Sequence, residues 1–309
     1  MRIIDLKLTY QCNNDCRYCC QERGLRELES CLSKEDVVGI LEEELESGID
    51  KIVLTGGEPT MNAQLREIVK VIREKGIRTI QVQTNAQSLA NKEYLDGLVK
   101  AGVNNFAVSL HGCTEEMHEA FTYTKGSFHQ LIHALILIKQ YRVPVALNCV
   151  ITKHNINHLK EIIMFVDNNR FADSLQFAFI HITGKAKEGI RDFVTLSEAA
   201  EAVRRALDGI GHCDLQVTTE AIPFCQMYGR EKIISELYND AEIITYDFRE
   251  RRDFTKARHN LFKYKPESCK QCIFDSICEG TWSEYPETYG SDEFIPIRQF
   301  RRNYHEWYQ

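Results

Sequence analysis

The sequence predicts an α/β protein: a partial (β/α)6 barrel of the TIM type over residues 1–181, with a small C-terminal domain over 182–309. The first ground is rhythm. Short β-rich runs alternate with amphipathic helical stretches through the first 180 residues, which argues a parallel sheet with right-handed crossovers. The second ground is placement. That strand count fits a doubly wound sheet or an incomplete barrel, but the chemically marked residues fall just after successive strands, where a barrel gathers its active site.

Strands are expected near Ile3–Leu8, Lys51–Leu54, Thr79–Gln83, Phe106–Leu110, Val145–Ile151 and Leu175–Ile180. Helices are expected between them near Lys34–Ser47, Ala63–Lys75, Asn91–Ala101, Phe128–Tyr141 and Ile156–Asn168. Ser33 is placed to cap the first helix, and Gly48, Gly76 and Gly102 stand just past three helix ends. After residue 181 the rhythm breaks. A helix is expected over 195–207, a strand at Leu215–Thr219, and a polar helical stretch over Gly229–Lys265. A cysteine-rich tail and an aromatic end with Phe300, Tyr304, Trp307 and Tyr308 follow.

Composition narrows the function. Hydrophobic residues make up 43% and charged residues 27%, as in ordinary globular chains. No apolar run reaches the roughly 18 residues a membrane span needs, and the start, MRIIDLKLTYQC, lacks the layout of a signal peptide. Reducing cytoplasm is the expected compartment. A formal charge of −7 with acid and base interspersed argues against nucleic acid, and the basic group Arg249, Arg251 and Arg252 reads as solvated surface. Twelve cysteines without a secretion signal then point to metal or redox use rather than disulfides.

Cys12, Cys16 and Cys19 form a C-x3-C-x2-C loop directly after the first strand. Thiolates suit iron–sulfur clusters, zinc or copper(I). A structural zinc or an electron-carrying cubane wants four protein ligands. Three thiolates on a cubane leave one iron open to a substrate or cofactor. Cys20 is the neighbouring candidate for a fourth ligand, although consecutive side chains in extended backbone diverge.

This spacing, with Tyr18 between the last two cysteines, resembles the signature of the radical S-adenosylmethionine (SAM) superfamily. ThrGlyGlyGluPro (55–59) after the second strand is similar to that family's GGE motif. The resemblance covers roughly residues 3–181. It implies a [4Fe-4S] cluster on Cys12, Cys16 and Cys19, and S-adenosylmethionine bound at the open iron. Reductive cleavage then yields methionine and a 5′-deoxyadenosyl radical. It also implies that Tyr18 lies against adenine and that Gly56, Gly57 and Glu58 serve the cofactor. Glu58 would face its ammonium, with the glycines allowing close approach. Ser109, Thr84, Asn85 and Asn148 at later strand ends are implied contacts for carboxylate and ribose. Many relatives carry an arginine before a Gly-Ser-Phe segment after the fourth strand; here Lys125 stands in that place.

Cys269-x2-Cys272-x5-Cys278 forms a second group, with Cys225 the expected fourth ligand. It resembles the twitch or truncated SPASM extension of radical SAM enzymes, which implies an auxiliary [4Fe-4S] cluster. Four thiolates also suit a structural zinc. Cys149 alternates with Val145, Leu147 and Ile151 and reads as core; Cys113, past the fourth strand, is a candidate hydrogen donor. The expected enzyme oxidises a peptide, by crosslink, thioether or similar change, with a flavodoxin or ferredoxin as electron donor. A dehydrogenase or rearrangement enzyme acting on a small molecule is the second reading, and an iron–sulfur electron carrier the third.

Overall fold

The computed structural model describes residues 1–26, 30–248 and 250–299; Arg249, Phe300, Tyr304, Trp307 and Tyr308 lie outside them. Strands β1 (Arg2–Thr9), β2 (Lys51–Gly56), β3 (Thr79–Thr84), β4 (Asn105–Ser109), β5 (Val145–Val150), β6 (Ser174–Ala178) and β7 (Gln216–Glu220) stand side by side in chain order. Every neighbouring pair among them is parallel. An order that never reverses decides between the two architectures. A doubly wound sheet switches direction partway, whereas right-handed crossovers stepping one way put all helices on one face and roll the sheet toward a barrel. The sheet stays open. β8 (Glu242–Tyr246) pairs parallel with the far side of β1, and β9 (Arg251–Asp253) pairs antiparallel with β8, making nine strands.

The helices are α1 (Arg23–Arg26), α2 (Lys34–Glu44), α3 (Leu65–Glu74), α4 (Lys92–Ala101), α5 (Glu115–Thr122), α6 (Ser127–Ile138), α7 (Leu159–Asn169) and α8 (Leu196–Gly209). Local signals explain their bounds. Ser33 caps α2 through a reciprocal box with Asp36, and Gly48, Gly76 and Gly102 take φ of 76°, 86° and 132°. In α3, Leu65, Ile68, Val69 and Ile72 recur at helical spacing and are all buried, each contributing about 1.5–3 kcal/mol.

Three features depart from expectation. α5 replaces what read as a connection; Thr114 caps it and Glu115 and Glu116 fill its first turn, signals hidden by a short helix next to a longer one. The sheet runs past residue 181, since β7 pairs with β6. The stretch 229–265 is not a polar helix. It holds β8, β9, the short α9 (Phe254–Ala257), a π turn at Arg258–Phe262 and β10 (Lys263–Tyr264), which pairs with β11 (Thr281–Trp282) ahead of α10 (Tyr285–Tyr289). The β-branched run Ile243, Ile244 and Thr245 was the strand signal there. Among the described residues, no helix is long and apolar enough to cross a membrane.

Strand alternation separates two faces. Ile4, Leu6, Val82, Val108, Leu147 and Phe177 are at most 1% exposed and meet the helices, and Cys149 shares that buried face. Burial pushes its thiol well up, so it is a core residue. The inner face is polar. Ser109, Asn148, Gln176 and Thr218 are successive Cα partners across β4–β7 and form one lateral row.

Glu44, the buried last residue of α2, ties both sides of the sheet edge together. Its carboxylate accepts from the Tyr246 hydroxyl at 2.6 Å and Arg251 Nε at 2.8 Å, and it also pairs with Arg2. Burial alone would raise its pKa, but Tyr246, Arg251 and Arg2 hold it below the ordinary value. A depressed carboxylate contributes stability that is present above the unfolded pKa and lost as pH falls through the folded one. Glu44→Gln is therefore expected to cost about 1–3 kcal/mol at pH 7 in urea unfolding. The gap to wild type should shrink as pH drops below the ordinary carboxylate range.

Candidate active site at the carboxyl end of the sheet

The cysteine loop leaves β1 where β2 ends, and the two backbones touch. Gly57 N donates to Thr9 O at 2.6 Å and Glu58 N to Gln11 O at 2.8 Å. A Cβ on Gly57 would lie 2.3 Å from Gln11 O and 2.4 Å from Tyr10 O; one on Gly56, at φ +122°, would lie 2.1 Å from Thr9 O. The glycine pair is thus required by the approach of one loop to another, not only by approach to a ligand.

Glu58 is 1% exposed. Its Oε1 accepts from Thr60 N, Thr60 Oγ1 and Thr84 Oγ1 at 3.1, 2.7 and 2.6 Å, and its Oε2 from Asn85 N at 2.7 Å. Burial raises its pKa despite these four donors. Thr84 and Asn85 therefore meet Glu58 itself. The first oxygen is saturated, and capacity for an ammonium remains on Oε2. Asn85 Nδ2 reaches across to Asn13 Oδ1 at 2.7 Å and Cys12 Sγ at 3.8 Å, so the end of β3 grips the cysteine loop.

Two further segments hold that loop, and neither was legible in the sequence. Asp15 N and Arg17 N donate to Thr122 O and Phe121 O of α5, both at 3.1 Å. From beyond β6, Lys185 N and Ala186 N donate to Gln21 O and Cys19 O at 3.1 and 3.0 Å, and Lys185 Nζ meets Asp15 Oδ1 at 2.6 Å. Tyr18 is buried beside Phe121 and Phe193, at ring distances of 5.0 and 5.7 Å, with Ile180 and Ile182. Ser109 and Asn148 stand together on the inner face, and Asn148 Oδ1 is buried without a protein partner. An unsatisfied amide at this depth is where a polar ligand group fits.

Cys113 is not brought to that face. It lines a rim pocket with Met117, His154, His158 and Glu161, close enough to Cys149 to act on it electrostatically. His111 is buried against Phe121 at 3.5 Å, its Nδ1 without a partner, and burial pushes its pKa well below the ordinary value. Lys125 is exposed in the turn after α5.

Cys225, Cys269, Cys272 and Cys278 line one small pocket with Phe224, Phe294 and Pro296. Burial and then the neighbouring Cys278 push the Cys225 thiol up to about 12, with Cys269 and Cys272 adding to the effect. Four thiols whose thiolate forms would repel one another suit a cationic centre that would neutralise them. Cys213 lies elsewhere, its Sγ 3.9 Å from Leu215 O at the start of β7. Among the described residues no three His, Cys, Asp or Glu side chains converge on one metal ion. Thiolates of a cubane each take a separate iron and span a wider set.

A one-way parallel sheet with a three-cysteine loop after its first strand defines a class of iron–sulfur enzyme. Residues 6–166 match the model of the radical SAM superfamily, to which the chain belongs. Proteins of that superfamily bind a [4Fe-4S] cluster and S-adenosylmethionine. A probable GTP 3′,8-cyclase of Metallosphaera sedula is 33% identical over 59% of this chain and 56% of its own length. An AdoMet-dependent heme synthase of Oleidesulfovibrio alaskensis is 26% identical over 65% and 51%. The chain thus spans little more than half of these curated relatives. Streptococcus suis SuiB bound to S-adenosylmethionine superposes with a TM-score of 0.69 over 96% of this chain and 76% of SuiB, at 18% identity. AnSMEcpe with bound AdoMet gives 0.64 over 99% and 95%, at 14% identity. The shared fold therefore includes the C-terminal part.

Gly57→Ala is expected to force the two loops apart and destabilise the chain by more than the roughly 1 kcal/mol of an ordinary Gly→Ala change. Thermal melting and iron content after anaerobic reconstitution measure this. Both should fall, whereas Gly211→Ala, with open space around it, should leave both near wild type.

Proposed function

We propose that the chain oxidises a peptide by radical chemistry, with Cys12, Cys16 and Cys19 holding a SAM-binding [4Fe-4S] cluster and Cys225, Cys269, Cys272 and Cys278 an auxiliary one. Bound there, these groups and S-adenosylmethionine would supply a 5′-deoxyadenosyl radical and an electron sink. The protein's part is placement. Glu58 braces the ends of β2 and β3 and offers Oε2 to the cofactor's ammonium; Ser109 and Asn148 offer neutral hydrogen bonds beside it. Tyr18 closes the apolar side, and Gly56 and Gly57 keep the strand ends in contact. The convergence of four cysteines from two segments on one pocket carries the auxiliary-cluster reading. A structural zinc on the same ligands is the alternative. A flavodoxin or ferredoxin fits as the electron donor.

The inner wall favours a peptide over a nucleotide. Its lateral row is amide and hydroxyl, matched to main-chain N–H and C=O groups. Across β1–β7 the inner-face cations are Lys7, 3.8 Å from Asp5, and Lys51, engaged by Gln81 at 2.6 Å. A triphosphate calls for several free cations. The cyclase relatives nonetheless keep a small-molecule substrate as the second reading.

Replacing Cys12, Cys16 and Cys19 together with Ala should abolish 5′-deoxyadenosine formation under dithionite and leave about four irons per chain in the tail pocket. Persistent cleavage would overturn the first assignment, and stoichiometric zinc in place of iron the second. Cys225→Ala should disturb the tail signal alone. With a peptide encoded near the gene, one 5′-deoxyadenosine should accompany each loss of two hydrogens from the product. Unchanged mass with solvent deuterium at one carbon would indicate epimerisation instead, and modification of a nucleotide or sugar the second reading.

A further inference from the structure

One buried charge cluster joins the end of β7 to the tail cysteine pocket. Arg258, with 8% side-chain exposure, donates from Nε to Glu279 Oε2 at 2.7 Å, from Nη1 to Glu220 Oε1 at 3.1 Å and from Nη2 to Glu236 Oε1 at 3.1 Å. Lys263, 1% exposed, adds Glu236 Oε1 at 3.0 Å and Glu279 Oε2 at 3.6 Å. Both cations lie over the Trp282 ring, Lys263 Nζ at 4.3 Å and Arg258 Cζ at 5.3 Å. The three carboxylates come from separate segments. Glu220 closes β7, Glu236 also accepts from Ala221 N at 2.7 Å, and Glu279 directly follows Cys278. Arg258 opens a π turn, a rare irregularity that concentrates at functional sites.

We propose that Arg258 is a positioning residue that clamps the Cys278 limb of the tail pocket to the end of β7 and, with Lys263, adds to the charge around that pocket, whose own lining holds Lys265 paired with Asp275 at 2.7 Å. Buried ion networks often stabilise no better than apolar packing, so location is the argument here. Holding Glu279 restrains the backbone next to Cys278, whose Sγ accepts from Gly280 N at 3.4 Å. The Glu220 end of the clamp is the last residue of β7, at the carboxyl edge of the sheet. One guanidinium thus joins the end of β7 to the Cys278 limb of the tail pocket. The clamp itself rests on the protein's own contacts; the charge effect rests on the auxiliary-cluster reading.

The metal-free chain tests the clamp. Arg258→Gln leaves the buried Glu236 and Glu279 to Lys263 and takes the guanidinium from the partly exposed Glu220, and amide exchange over 278–282 should speed up about tenfold or more while β1–β4 are unchanged. Unchanged exchange overturns the clamp. Should that variant fail to fold, Arg258→Lys, which keeps the charge and loses the three-way fork, should show the same local loosening. The anaerobically reconstituted protein tests the charge effect by redox-titrated electron paramagnetic resonance. Removing a cation should lower the tail cluster's reduction potential in Arg258→Gln. Removing an anion should raise it in Glu279→Gln, with the first cluster unmoved in both. Shifts of the same sign would overturn the charge effect. A wild-type chain that takes up no second cluster would overturn the auxiliary-cluster reading and leave the exchange result to decide the clamp.

Discussion

The active end of this molecule depends on two strand ends meeting with no side chain between them. Where β2 finishes, Gly56 and Gly57 press their backbone onto Thr9, Tyr10 and Gln11, the residues that lead into Cys12. Any Cβ there would occupy space already held by carbonyl oxygens. The register of β1 against β2 shifts at this point, between Lys7 and Thr9, so the chain can leave the sheet and turn across its carboxyl edge. Everything downstream inherits that exit. The loop passes under Asn85, along the end of α5 and against Lys185 and Ala186, and each contact presupposes the first.

Two buried acidic devices then work in opposite ways. Glu58 has no cation among its four donors, which come from hydroxyls and backbone amides. It therefore holds two loops together while leaving a lone pair open on Oε2. In the tail, Glu220, Glu236 and Glu279 are matched by Arg258 and Lys263, and their charge is largely consumed in joining segments. Neutral donors leave a carboxylate with something to offer a ligand. Cations do not. The first arrangement joins the ends of β2 and β3, and the second joins the end of β7 to the segment after Cys278, where rigidity serves better than binding capacity.

Much of this was legible from residue order. The six expected strands exist, their one-way order follows from crossover handedness, and the first cysteine group lies in a loop at the end of β1. What escaped had physical causes. α5 is only eight residues long and sits four residues before α6, so its periodicity merges into its neighbour. β8 is five residues inside a polar stretch, and it is a strand because β1 offers it an edge, a tertiary reason that local propensity does not carry. The motif singled out Glu58 in the sequence, and the structure buries it at the junction of β2 and β3. Its partners Thr60, Thr84 and Asn85 were not readable as such, because hydrogen bonds across 2, 26 and 27 positions leave no trace in spacing.

The polar inner wall is the last consequence of one-way winding. With every crossover on the same side, the helices cover a single face of the sheet, and the other face has only the curve of the open barrel to shield it. A fold built for stability alone would fill that space with branched apolar side chains, as closed barrels do. Here Lys7, Gln83, Ser109, Asn148, Gln176 and Thr218 occupy inner-face positions instead. Asn148 even retains a buried oxygen without a protein partner, at a cost of about 1–3 kcal/mol. A wall that forgoes apolar packing and tolerates an unsatisfied amide is stable enough only because the opposite face, from Ile4 to Phe177, is so thoroughly buried. The helices stabilise the sheet from outside, and that leaves its inside free for chemistry.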